Sequence, residues 1–140
     1  MLTFDVQPSG PKVGKLAIAL LPETSAQPSC EVQIEPATLR AQFASAVEDG
    51  FAVRQKSLRE GGAPHQAGDY AIENLIDVEK PFAVRLLVRA NDKIGGSLVD
   101  AEIAGKRTFI SYRVGLTVKR LVFRTEGVEL KNVRLARLKE

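Results

Sequence analysis

The segment from Lys80 to Arg113 restricts the possible folds more than any other part of the chain. Lys-Pro-Phe-Ala-Val-Arg-Leu-Leu-Val-Arg-Ala, Ser-Leu-Val-Asp-Ala-Glu-Ile and Lys-Arg-Thr-Phe-Ile-Ser-Tyr-Arg are short runs, apolar at about every second position, separated by Asn-Asp-Lys-Ile-Gly-Gly and Ala-Gly. Runs of this kind, cut by turn residues, are consecutive antiparallel strands. The period of two assigns faces. Phe82, Val84, Leu86 and Val88 point one way and Arg85, Leu87 and Arg89 the other. In the next run Val99, Ala101 and Ile103 point inward, which leaves Asp100 and Glu102 side by side on the opposite face. Ala104-Gly105 reads as a two-residue hairpin turn, because glycine supplies the positive φ such a turn needs. That reading brings the basic Lys106 and Arg107 close to the acidic pair.

The rest of the chain follows the same rhythm. Leu2–Val6 alternates, Lys15–Leu21 is an apolar run bounded by Gly14 and Pro22, and Ser29–Glu35 sets Cys30, Val32 and Ile34 against Glu31, Gln33 and Glu35. Phe51–Leu58, Asp69–Leu75, Thr117–Glu126 and Val128–Leu138 read as further strands, the last bent near Lys131-Asn132. Residues 36–50 are ambiguous. Leu39, Phe43 and Val47 recur at helical spacing, with Gly50 as a C-cap, yet Leu39, Ala41 and Phe43 also alternate with Arg40 and Gln42. The strands on both sides favour a strand at 38–44 followed by a loop.

Roughly ten or eleven short strands in one domain bury their apolar faces only by stacking two sheets or closing a barrel. The expectation is therefore all-β: an antiparallel two-sheet β-sandwich of jelly-roll, concanavalin-A-like type, formed by residues 1–140 as a single domain. At 140 residues such a domain buries a core without metal or disulfide staples. A single cysteine excludes an intramolecular disulfide, and its place in the Cys30, Val32, Ile34 series makes it a buried thiol. With 20 basic and 17 acidic residues the net charge is +3, far from a nucleic-acid-binding balance. No apolar run reaches the roughly 18 residues of a membrane span, and the first residues lack a signal-peptide pattern, so neither membrane nor nucleic acid is an expected partner. Localisation stays open.

The candidate functional residues are few. Asp100 and Glu102 are the sharpest chemical feature, with Arg107 and Tyr112 expected beside them. The segment Arg59–Gly68 is the longest irregular stretch and holds the one histidine, so His65 and Asp69 are added as loop contributions to a ligand site. His65 has no Cys or second His with which to ligate a metal, and no cofactor is expected. The competing reading is that Asp100 and Glu102 simply pair with cross-strand bases, worth roughly 0.2–1 kcal/mol per pair.

The order of elements resembles a known superfamily. Cys30-Glu-Val-Gln-Ile-Glu-Pro36, Pro81-Phe-Ala-Val-Arg-Leu-Leu-Val88, the Ser97-Leu-Val-Asp-Ala-Glu-Ile103 hairpin and the closing Gly127-Val-Glu-Leu-Lys-Asn-Val-Arg-Leu135 are similar to the concanavalin-A-like β-sandwiches. They resemble in particular the C-terminal sandwich module of family 32 glycoside hydrolases, the invertases, levanases and their relatives. The resemblance rests on pattern and contains no diagnostic motif. It implies an accessory domain, since catalysis in those enzymes belongs to a separate propeller domain and the sandwich supports it, mediates association or contacts carbohydrate. The related family 16 glucanases carry Glu-x-Asp-x-Glu on one strand. In the matching window here, Leu98 to Glu102, the first Glu is Leu98, so two of the three carboxyls are present and hydrolysis by Asp100 and Glu102 is disfavoured. Such sandwiches often hold calcium, but no carboxylate-dense loop is visible. The expected function is thus a non-catalytic carbohydrate-binding or accessory module, with carbohydrate, a catalytic domain or a second copy as partners. The alternative is a structural or protein-interaction domain that self-associates through a sheet face or edge.

Overall fold

In the computed structural model, residues 1–9, 14–24, 30–44, 70–91, 95–114 and 116–137 are described. Ten strands occur among them: β1 Leu2–Pro8, β2 Lys15–Leu21, β3 Cys30–Glu35, β4 Arg40–Ala44, β5 Tyr70–Ile72, β6 Phe82–Asn91, β7 Gly96–Ile103, β8 Arg107–Val114, β9 Arg120–Glu126 and β10 Val128–Leu135. They form two five-stranded antiparallel sheets, in the orders β10-β1-β6-β7-β8 and β5-β4-β3-β2-β9. The all-β two-sheet sandwich expected from the alternation is therefore present. The strand expected at Phe51–Leu58, the loop at Arg59–Gly68 and the residues His65 and Asp69 lie outside the described residues.

The core lies between the sheets and is filled by the predicted inward sets. Phe4, Leu16, Ile18, Leu20, Ile34 and Leu86 are among the fully buried side chains, and Val99, Ala101 and Ile103 join them from β7. Cys30 is buried in this core, as its alternation with Val32 and Ile34 indicates.

Within residues 36–44 period two prevails over the helical spacing. Pro36–Thr38 forms one 3-10 turn, Leu39 takes a left-handed conformation with φ 53°, and Arg40 returns antiparallel to Glu35. The reason is burial: as a strand, β4 delivers both Ala41 and Phe43 to the core. The bend expected near Lys131-Asn132 is a bulge. Asn132 has φ 53°, the β1–β10 register shifts between Thr3 and Asp5, and the Asn132 side-chain amide donates to Asp5 Oδ2 at 2.6 Å.

The β7–β8 hairpin departs from expectation by one residue. Ala104 and Gly105 have φ values of 56° and 63°, and Lys106 N–H donates to the Ile103 carbonyl at 3.1 Å, as the tight turn requires. Pairing resumes only at Arg107, opposite Ile103, so Lys106 is an extra residue in the connection. Every β8 residue is thereby shifted by one position relative to a two-residue hairpin, which exchanges its two faces.

Candidate functional site

The outer face of the β10-β1-β6-β7-β8 sheet receives Asp100 and Glu102 because their neighbours on β7, Val99, Ala101 and Ile103, are drawn into the core. Across the ladders Asp100 stands between Leu87 and Ile110, and Glu102 between Arg85 and Thr108. Tyr112 pairs with Leu98 and so shares that face by register. Arg107 does not. It pairs with Ile103, an inward position, and the extra Lys106 is what moves it away from the acidic residues. Lys106 itself lies 4.0 Å from Asp77.

The base that meets Glu102 is Arg85, whose Nη2 donates to Oε2 at 2.7 Å. Both side chains are partly exposed, so the pair contributes at most about 1 kcal/mol to stability. Asp100 differs: its Oδ1 is shielded from solvent and accepts no hydrogen bond from the described residues. A shielded acceptor without a donor is destabilising by roughly 1–3 kcal/mol.

The structure also assembles a group that the sequence reading did not single out. One continuous row, Arg134, Thr3, Arg85, Glu102 and Thr108, crosses all five strands in register. Beside it lies an open depression of about 380 Å³, within the range of small-ligand sites, whose polar lining is Thr3, Asp5, Arg85, Glu102, Asn132 and Arg134. Asp5 is already held by Asn132, and Arg85 by Glu102, so two carboxylates and one guanidinium are fixed in place around the depression. Arg134 has no ionic partner among the described residues. The signal for Thr3 and Asp5 was their parity opposite Leu2, Phe4 and Val6. Convergence with Arg85 and Arg134 required knowing that β1 lies between β6 and β10. Of the predicted site residues whose side chains are described, Glu102 lines this depression, and Asp100 shares its face two positions along β7.

Chemically the depression offers guanidinium and hydroxyl donors and carboxylate acceptors on a rigid sheet. Arg85 donates to one of the two Glu102 carboxylate oxygens. Among the described residues no group of three or more His, Cys, Asp and Glu side chains is arranged to hold a metal ion, and no helix is long and apolar enough to cross a membrane. No protein-family model, curated protein or solved structure matches the chain.

Proposed function

We propose that the chain is a non-catalytic accessory β-sandwich module that binds carbohydrate through the outer face of its β10-β1-β6-β7-β8 sheet. The observation that supports this reading is the polar depression around Arg85, Glu102, Asp5 and Arg134, which gathers donors and acceptors on one sheet face. Sugar hydroxyls both donate and accept, so they match fixed carboxylates and guanidinium groups lying a few ångström apart. None of the described aromatic side chains forms a stacking platform at the depression: Phe43 and Phe82 are buried, and Phe4, which borders it, belongs to the core. Recognition in this reading rests on hydrogen bonds, and the affinity is correspondingly modest, with Kd in the range of about 0.1–1 mM. The resemblance to the accessory sandwich of family 32 glycoside hydrolases points to fructans as the first ligands to try.

Affinity electrophoresis and calorimetry against levan, inulin and laminarin test it. Retardation or heat from one of these polymers is expected, lost in Arg134→Ala with unchanged melting temperature and in Arg85→Ala with a melting temperature lowered by no more than about 3 °C. Absence of binding to all three, or binding that survives both substitutions, overturns the proposal.

A further inference from the structure

β9 pairs with β2 along one side, and its other edge has no strand partner among the described residues. Its inner face carries Leu121 and Phe123, and the Phe123 ring meets Phe4 of β1 edge-to-face at 5.5 Å, so β9 stands over β1. β10 lies next to β1 at the rim of the other sheet. Its inward residues beyond the bulge have nothing comparable above them: Val133 is 50% and Leu135 73% exposed. Together with Leu2, Leu86, Leu121 and Phe123 they line an open apolar groove of about 850 Å³. Exposed aliphatic surface gathered into one groove is a docking surface more often than scattered apolar residues are.

We infer that this groove takes an extended segment of a partner polypeptide, which adds to the free edge of β9 as a strand and lies over β10. In strand addition the main chain bonds to the edge and alternate side chains enter the apolar site. A strand placed there would direct every second side chain onto Val133 and Leu135. Its intervening side chains would lie beside the outward face of β9, where Arg124 is paired with Glu31 and Arg120 donates to the Pro22 carbonyl, and Lys119 stands at the groove itself, so the neighbourhood is cationic on balance. Opposite charges across adjacent strands are favourable and like charges are not, so the partner strand alternates apolar with acidic residues. A second copy of this chain suits the site less well, because the outward face of its own β9 has two arginines for one glutamate. The groove lies on the opposite side of the β10-β1-β6 sheet from the polar depression, so this inference stands independently of carbohydrate binding.

The test is isothermal titration of the full chain with the synthetic peptide Ser-Glu-Val-Glu-Val-Glu-Leu-Glu-Ser, capped at both ends, and with the same peptide carrying Lys for Glu. Saturable binding of the acidic peptide is expected, weakened at least about tenfold when Lys replaces Glu. Val133→Asp, at a half-exposed position that tolerates a charge, should abolish binding, and Lys119→Glu should weaken it. Amide exchange should show new protection at the β9 amides that point away from β2. No saturable binding, equal binding of both peptides, protection confined to another edge, or light scattering showing that the groove is filled by a second copy would each overturn the inference.

Discussion

Replacing Arg124 by alanine should destabilise the domain more than replacing Glu31, although the two form one ion pair. Arg124 Nη2 donates to Glu31 Oε2 at 2.5 Å, and Gln33 Nε2 donates to Glu31 Oε1 at 2.7 Å, while Gln42 donates in turn to Gln33. The pair crosses from β9 to β3 over β2, which places the small Ala17 and Ala19 beneath it. Burial is unequal: the Arg124 side chain is 60% exposed and that of Glu31 12%. Breaking a buried pair from one side costs roughly 3–5 kcal/mol, because a charge is left without its partner. In Arg124→Ala the stranded carboxylate keeps the Gln33 donor, and the lost partner was largely in water. About half of that cost applies, so roughly 2 kcal/mol is expected. Glu31→Ala instead releases a guanidinium that water readily solvates, and loses hydrogen bonds of modest net value, about 1 kcal/mol. Urea unfolding followed by far-ultraviolet circular dichroism measures both, with each kcal/mol moving the melting temperature by roughly 3 °C. The double variant should cost no more than Arg124→Ala alone. A larger loss in Glu31→Ala, or losses below about 0.3 kcal/mol in both, would refute the reasoning.

Three further outcomes follow from the packing. Ser97 is buried and its hydroxyl donates to the Leu116 carbonyl at 2.8 Å, so Ser97→Ala strands that carbonyl and should cost about 1–2 kcal/mol in urea unfolding. Gly105→Val forces a β-branched residue to φ 63° in open space, so strain alone should destabilise by about 1–2 kcal/mol while Gly105→Asn costs less, as thermal melts will show. Cys30 is 1% exposed, so its reaction with an aromatic disulfide reagent should be slow in buffer and fast in urea, and a fast reaction in buffer would contradict its burial.

The faces of individual strands were legible because alternation is a local property. Val84, Leu86, Val99, Ala101 and Cys30 lie inward as their neighbours' polarity demands, and the turn residues Ala104, Gly105 and Asn132 mark where the chain reverses or bulges. Residues 36–44 were decided by tertiary context, since Leu39 and Phe43 fit a helix as well as a strand until β3 and β5 are available on either side of β4. The candidate site was only partly readable. Asp100 and Glu102 could be placed on one face, but which base meets them depends on register. The extra Lys106 in the β7–β8 connection turns Arg107 away, and the long β6–β7 ladder brings Arg85 to Glu102.

Side-chain order along each strand, the absence of an intramolecular disulfide and the inward burial of the thiol were set by the amino-acid sequence itself, because the chain has one cysteine and period-two patterning acts between adjacent residues. Which strands become neighbours was decided by the tertiary structure alone. β1 sits between β6 and β10, more than seventy residues away from either, and only that pairing brings Thr3 and Asp5 beside Arg85 and Arg134. Pairing of this kind is a competition among many non-local arrangements, settled by how completely both sheets hide their apolar faces from water, and no short stretch of sequence carries that information.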